Sequence, residues 1–447
     1  MKFGEESTMR RLMKAGLLLG LGLLSALLVL VGTGGDALPR SVHPNQQRVT
    51  DLEQLWQGQY VDYFGRDRTV PALDADQIGE RLGGLSQETG QAIALIYVAP
   101  QPDYLELLLV MPDQAVVRET VETAPLDRVL ATASQFQAAV HRPFFSQASL
   151  LPAQQLYRWM VAPLEAYLQA KSVDVLIFCP GPGLRSLPWA ALHDGSQFLV
   201  ETYAVGLIPA FNLVDHRVGA IADATILAMG ASEFEELGDL PAVPLELAAV
   251  AENFRQGEQF LNQAFTLENL KQQLSSAAFR IVHLATHAQF QPGTPANSYI
   301  QLWQDERLNL SQLHQLDWRD LPVELLVLSA CETALGDRTA ELGFAGLSFE
   351  AGVKTTLASL WQVSDLGTLA LMTEFYAQLA DPTVPTKAEA LRRAQVAMLQ
   401  GDIRISDDTI RGPSGSIPLP QEFPGQLEGN LSPPFYWAAF TLVGSPW

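Results

Sequence analysis

The sequence predicts an α/β fold, a three-layer sandwich built on a mainly parallel sheet. Two observations in the C-terminal three-fifths point to it: short, strongly apolar runs recur, and helix-length segments with one apolar face alternate with them. That strand, loop, helix grammar covers both faces of a sheet with helices. A third observation concerns the chain ahead of it, where short alternating runs separated by Pro, Asp and Gln mark a small antiparallel meander.

Taken in order, Lys2, Arg10, Arg11 and Lys14 precede an uncharged stretch from Ala15 to Gly35, and Asp36 ends it. This is the layout of an export segment, so residues 1–36 read as a signal peptide or a membrane anchor. The strongly apolar part, Ala15 to Val31, is about seventeen residues, the short edge of what spans a hydrocarbon core of about 30 Å. Gly35 and Ala37 suit cleavage, the Gly16 and Gly20 spacing suits a membrane helix pair, and both readings stay open. Either way the basic residues remain cytoplasmic, which puts the body of the chain on the non-cytoplasmic side and limits membrane contact to this segment.

Residues 37–51, with Pro39 and Pro44, read as a linker. Leu52, Leu55, Trp56, Tyr60 and Tyr63 then recur at helical spacing. Ile93 to Val98, Leu105 to Val110 and Val116 to Val121 are the strands of the meander, so residues 52–150 form an N-terminal region of short helices and antiparallel strands. The main domain is expected over residues 151–447. It opens with a helix over Ala153 to Gln169 that Pro163 bends or breaks. Buried strands are expected at Val173 to Phe178, Thr225 to Met229, Arg280 to Leu284, Leu325 to Leu328, Thr355 to Leu360 and Ala439 to Val443. Helices are expected at Leu245 to Phe254, Leu267 to Ser275 capped by Thr266, Phe344 to Ala351, Leu366 to Ala380 and Lys387 to Leu399. Residues 401–434, rich in Gly, Pro and acidic side chains, read as a long surface loop.

Composition narrows the function. The formal net charge is -21, which repels phosphate backbones and excludes nucleic acid as a partner. The two cysteines, Cys179 and Cys331, are too few for a disulfide framework and lack zinc-site spacing. His283 and His287 are four apart, but the preceding β-branched residues indicate a strand and Leu284 stands where a helical zinc motif needs Glu. No metal or cofactor is therefore expected. His283 is assigned as a hydrogen-bonded structural residue and Cys179 as a small buried hydrophobe, while His193 and His314 fall in polar loops with no evident partner. Signatures of nucleotide hydrolysis and of serine hydrolases are missing.

What remains is His287 and Cys331. Functional groups gather at the carboxyl edge of a parallel sheet, and both residues follow apolar strands there. A thiol attacks a carbonyl as thiolate, and an imidazole can take its proton and return it to the leaving amine. A turn or helix start just after Cys331 would add backbone N–H groups for the sulfur and an oxyanion.

Several separated motifs carry a resemblance to the CHAT domain, a caspase-like family, and to its cyanobacterial type. They are Gly183-Leu184-Arg185-Ser186-Leu187-Pro188 with Ala190-Ala191-Leu192-His193-Asp194-Gly195, His283-Leu284-Ala285-Thr286-His287, and Leu328-Ser329-Ala330-Cys331-Glu332-Thr333-Ala334. Ala358-Ser359-Leu360-Trp361 with Asp365 and Tyr436-Trp437-Ala438-Ala439-Phe440 complete the set. The match runs from about Leu156 to Trp447, with a weaker likeness over Leu52 to Phe64 and the meander. It implies a caspase and separase type of fold, His287 as general base and acid, Cys331 as nucleophile, and a protein or peptide substrate. The family places Gly directly after the histidine, and its N–H, with that of Cys331, is expected to bind the oxyanion; here that residue is Ala288. Pro433-Pro434 replaces the family's His-Pro, and fused repeats are absent. The expected function is a cysteine endopeptidase. The alternative, motivated by Ala288, is a catalytically inactive caspase-like interaction or scaffold module.

Overall fold

In the computed structural model, which describes residues 43–65, 72–144, 146–219, 221–254, 256–316, 323–333, 337–420 and 429–447, with the backbone alone at 330–333, the chain opens on a long helix. The export segment and residues 37–42 lie outside the described residues. Helix α1 (Pro44–Phe64) takes up the second half of the stretch read as linker. Pro44 starts it because its fixed φ suits the first helical position, and the His43 side chain accepts the Asn45 N–H, a capping role more often filled by Ser, Thr, Asp or Asn.

There follow α2 (Ala75–Thr89), β1 (Ile93–Pro100), β2 (Leu105–Val110), β3 (Val117–Val121), α3 (Leu126–Val140), α4 (Leu150–Met160) and α5 (Glu165–Ala170), with a tight turn around Pro163 separating the last two as expected. Next come β4 (Val175–Pro180), α6 (Leu199–Thr202), β5 (Ala204–Leu207), β6 (Ile226–Gly230), α7 (Val243–Glu252), β7 (Gly257–Leu261), α8 (Leu267–Ser276) and β8 (Ile281–Phe290). Beyond them are β9 (Tyr299–Gln301), β10 (Arg307–Asn309), β11 (Leu325–Thr333), α9 (Arg338–Ala345), α10 (Leu347–Ala351), β12 (Thr355–Ser359), α11 (Asp365–Ala380) and α12 (Lys387–Leu399). The chain closes with β13 (Arg404–Ser406), β14 (Thr409–Gly412), β15 (Gly415–Pro418), α13 (Pro434–Trp437) and β16 (Phe440–Gly444).

All strands but β13, β14 and β15 join one sheet. Strands β7, β6, β8, β11 and β12 run parallel in that order. Strands β16, β5, β4 and β1 also run parallel to one another, but β12 meets β16 antiparallel. The sheet therefore consists of two parallel blocks of opposite direction, whose carboxyl edges lie at opposite ends. The meander does not stand apart: β2 and β3 extend the sheet beyond β1. Unbroken burial along Val175–Pro180 and Ile281–Thr286 means that helices cover both faces.

Residues 401–434 were expected to be a surface loop, and the structure corrects this. Strands β13, β14 and β15 form a small antiparallel sheet there, and Ile403, Ile405 and Ile410 are buried. The glycines and acidic residues that suggested a loop mark its tight turns, with Asp407, Asp408 and Gly415 all at positive φ.

Candidate active site

Both strands that carry the candidate residues run further than their apolar cores suggested. Strand β8 continues past Leu284 to Phe290, and β11 past Leu328 to Thr333, so His287 and Cys331 lie in paired extensions rather than in loops. Leu284 pairs with Leu328, but the next pairs are His287 with Ala330 and Ala288 with Cys331. Between them β8 holds one residue more than β11, a bulge that resets which residues face each other. The Cα atoms of His287 and Cys331 thus lie on a diagonal across neighbouring strands, roughly 6 Å apart from the spacing and rise of a sheet.

The His287 ring is half-buried, and its Nε2 lies 2.7 Å from the carbonyl oxygen of Gly238. A carbonyl only accepts, so Nε2 carries a hydrogen, and in the neutral ring Nδ1 keeps the lone pair. The ring of Phe234 meets the imidazole edge to face, with centroids 4.8 Å apart. Both partners belong to the segment between β6 and α7, at the same carboxyl edge. Sequence reasoning missed them, because their role arises from a strand neighbouring β8 and not from any local pattern.

Ala288 is buried and is not among the residues with positive φ. Its backbone is extended, and it pairs with Cys331 on one side and with Ile300 on the other. An alanine fits that conformation without strain, so the family's glycine is not required here by backbone geometry. The turn or helix start read after Cys331 does not follow it directly: Glu332 and Thr333 stay in the strand, and α9 begins at Arg338. That start is capped by Asp337, whose Oδ1 accepts from the N–H groups of Thr339 at 2.8 Å and Ala340 at 3.0 Å. The Thr339 hydroxyl, followed by these amides, holds the Asp337 carboxyl below the usual range.

His283 is fully buried, its Nδ1 3.0 Å from the Tyr376 hydroxyl and its Nε2 3.1 Å from Glu246, as suits a structural residue. Cys179 is fully buried, with Sγ 3.6 Å from the Pro209 carbonyl, and burial followed by the charge of Glu53 pushes its thiol up. His193 and His314 do have partners. The His193 Nδ1 accepts from Gly195 N–H at 2.9 Å, and His314 lies 3.5 Å from Glu350. Among the described residues no group of three or more His, Cys, Asp or Glu is placed to hold a metal ion.

The first motif of the resemblance proves to be a brace. Glu341 of α9 accepts from Gly183 N–H at 2.8 Å and from the Ser186 hydroxyl at 2.9 Å. Arg185 between them stacks on Tyr60 of α1 at 4.9 Å and donates to Gln59.

The family model for the CHAT domain matches residues 150–445. Among curated proteins none matches the chain. Among solved structures, the crystal structure of the Saccharomyces cerevisiae separase-securin complex is similar at 9% identity and a TM-score of 0.49, over 91% of this chain and 34% of the other. This chain thus spans about a third of that protein's length. The complex of the pro- and mature domains of Porphyromonas gingivalis RgpB is similar at 9% identity and a TM-score of 0.38, over 71% of this chain and 76% of the other.

Proposed function

The chain belongs to the CHAT domain family, and from that premise we propose that it is a cysteine endopeptidase working through Cys331 and His287. One observation carries the reading: the Gly238 carbonyl fixes the His287 ring at the carboxyl edge, one residue step across the paired strand from Cys331. Successive strand residues face opposite sides, so the pairing that sets Cys331 level with Ala288 opens for the thiol to meet the ring.

In this mechanism Nδ1 takes the thiol proton and the thiolate attacks the peptide carbonyl. The Cys331 amide, beyond the last pairing of β11 with β12 at Leu328, serves the developing oxyanion, whereas Ala288 lies between two paired strands and offers no open N–H beside it. Gly238 accepts from Nε2–H throughout, which favours the imidazolium that forms and keeps the ring in place. The intermediate collapses as the imidazolium protonates the leaving amine, and water, deprotonated by the same ring, hydrolyses the thioester. The scaffold alternative drew on Ala288, and an unstrained Ala288 gives it no support. The basic and then apolar N-terminus supports a substrate across the membrane. Among the described residues no helix is long and apolar enough to span one.

Incubation with a peptidyl acyloxymethyl ketone tests the reading. Covalent labelling of Cys331 is expected in the wild type and not in His287→Ala; equal labelling of the two would end the dyad. Fusing residues 1–42 to a reporter active only outside the cytoplasm tests the export, and a silent reporter would reject it.

A further inference from the structure

Two groups hold His287, the Gly238 carbonyl and the Phe234 ring, and both sit in the segment between β6 and α7. Part of that segment is closed on itself. Leu240 N–H donates to the Ser232 carbonyl at 2.9 Å, and Phe234 N–H to the Asp239 carboxylate at 3.1 Å. Its entry is fixed by Ser232 N–H, which donates to the Asn262 side chain at 2.8 Å.

The exit is held from a different element. Ala242 N–H, at the start of α7, donates to Oδ2 of Asp365 at 2.5 Å. Asp365 opens α11 just after β12, at the same edge of the sheet as His287. One carboxylate thus stands at the amino ends of two helices, where the unpaired N–H groups and the aligned peptide dipoles favour negative charge. It faces an opposing influence from within: burial, with Glu246 adding, pushes the Asp365 carboxyl up to about 7, and the Ala242 amide works against that shift. The family motif that ends in Asp365 therefore carries a buried carboxyl group that the reaction itself does not use.

We propose that Asp365 is a positioning residue for His287: by holding Ala242 it sets the loop from Ala231 to Ala242, and that loop holds the Gly238 carbonyl on Nε2 and the lone pair on Nδ1. Its effect on cleavage rests on the peptidase reading, whereas its effect on the imidazole does not.

The test is the tautomer of His287 in the full chain, read from two-bond 15N–1H correlations of labelled imidazoles and assigned by loss of the resonance in His287→Gln. The wild type is expected to show Nε2–H. Asp365→Ala and Asp365→Ser, the latter too short to reach Ala242, are expected to show a mixture of tautomers. Asp365→Asn keeps an acceptor oxygen and is expected to restore Nε2–H. In cleavage assays the Ala and Ser variants should lose about 10- to 100-fold in kcat with KM nearly unchanged, and Asn should recover most of it. Retention of the Nε2–H tautomer in a folded Asp365→Ala or Asp365→Ser overturns the proposal even where cleavage falls. So does a wild-type Ala242 amide that exchanges with deuterium as an unbonded amide would, a measurement needing no variant. A wild type with no Cys331-dependent cleavage defeats the peptidase reading instead, and the tautomer spectra still decide the tether.

Discussion

Strand β4 carries Cys179 one residue before its end much as β11 runs through Cys331, each near the carboxyl edge of a parallel block, yet the two edges are closed differently. In the block of β16, β5, β4 and β1, helix α1 lies over the edge. Its Glu53 is fully buried and accepts from Phe211 N–H at 2.8 Å, Asn212 N–H at 2.9 Å and the Tyr97 hydroxyl at 2.8 Å, while Trp56 stacks on Tyr97 at 5.9 Å. The three donors do not fully offset the cost of burial, so the Glu53 carboxyl is pushed up, and its neighbour Cys179 with it. In the other block the edge holds a half-buried imidazole steadied by a carbonyl and a ring. A strand end in an α/β sheet is thus only an opportunity for chemistry, and what packs over it decides between a sealed core and a site.

The largest effect should come from exchanging the two thiols. Cys331→Ala is expected to lower cleavage at least about 1,000-fold, because no other group can form the thioester. Cys179→Ala should leave kcat and KM within about twofold and cost about 1 kcal/mol of stability as a small cavity. Counting thiols with a reagent applied to the native protein checks the contrast, since Cys179 should react only after unfolding. Rapid native labelling of Cys179 would break the comparison at its root.

Next in size is the seal itself. Glu53→Leu would leave two backbone amides and a hydroxyl buried without an acceptor, and a loss of about 3 kcal/mol or more is expected in denaturant titrations. A smaller effect probes how α1 links the blocks. Its last turn rests on the junction of α9 and α10, where a Cβ on Gly346 would come 2.5 Å from Phe64 and 2.8 Å from both Tyr60 and the Leu342 carbonyl. Gly346→Ala should therefore cost about 1–3 kcal/mol. Phe64→Ala combined with it should cost less than the sum of the two, because the removed ring relieves part of the clash.

Much of this was legible in the sequence where period and composition carry the information. The apolar runs gave β4, β6, β8, β11, β12 and β16, and Pro163 gave the break between α4 and α5, because burial and backbone sterics act locally. The diagonal of His287 and Cys331 was legible only in outline. The strand extensions beyond Leu284 and Leu328 look polar enough to be loops, and they are strands because each supplies the other with ladder hydrogen bonds. Gly238, Phe234 and the Asp365 tether left no local trace, since each depends on which strand lies beside which. The reversal between β12 and β16 was equally hidden: strand direction is set by how distant segments pair, and nothing in an apolar run of five residues records it.

The finest comparison is between the family's glycine after the histidine and the alanine at that place. Glycine matters where φ is positive or where a Cβ has no room, and Ala288 meets neither condition: its backbone is extended and its side chain is buried in the sheet. Ala288→Gly should therefore raise cleavage by no more than about twofold and should cost about 0.5–1 kcal/mol, through added freedom of the unfolded chain and lost packing. Steady-state kinetics and thermal unfolding of the pair measure both. A tenfold gain in kcat without that loss would mean that the working backbone at 288 departs from the strand, and it would return Ala288 to the role of an inactivating change.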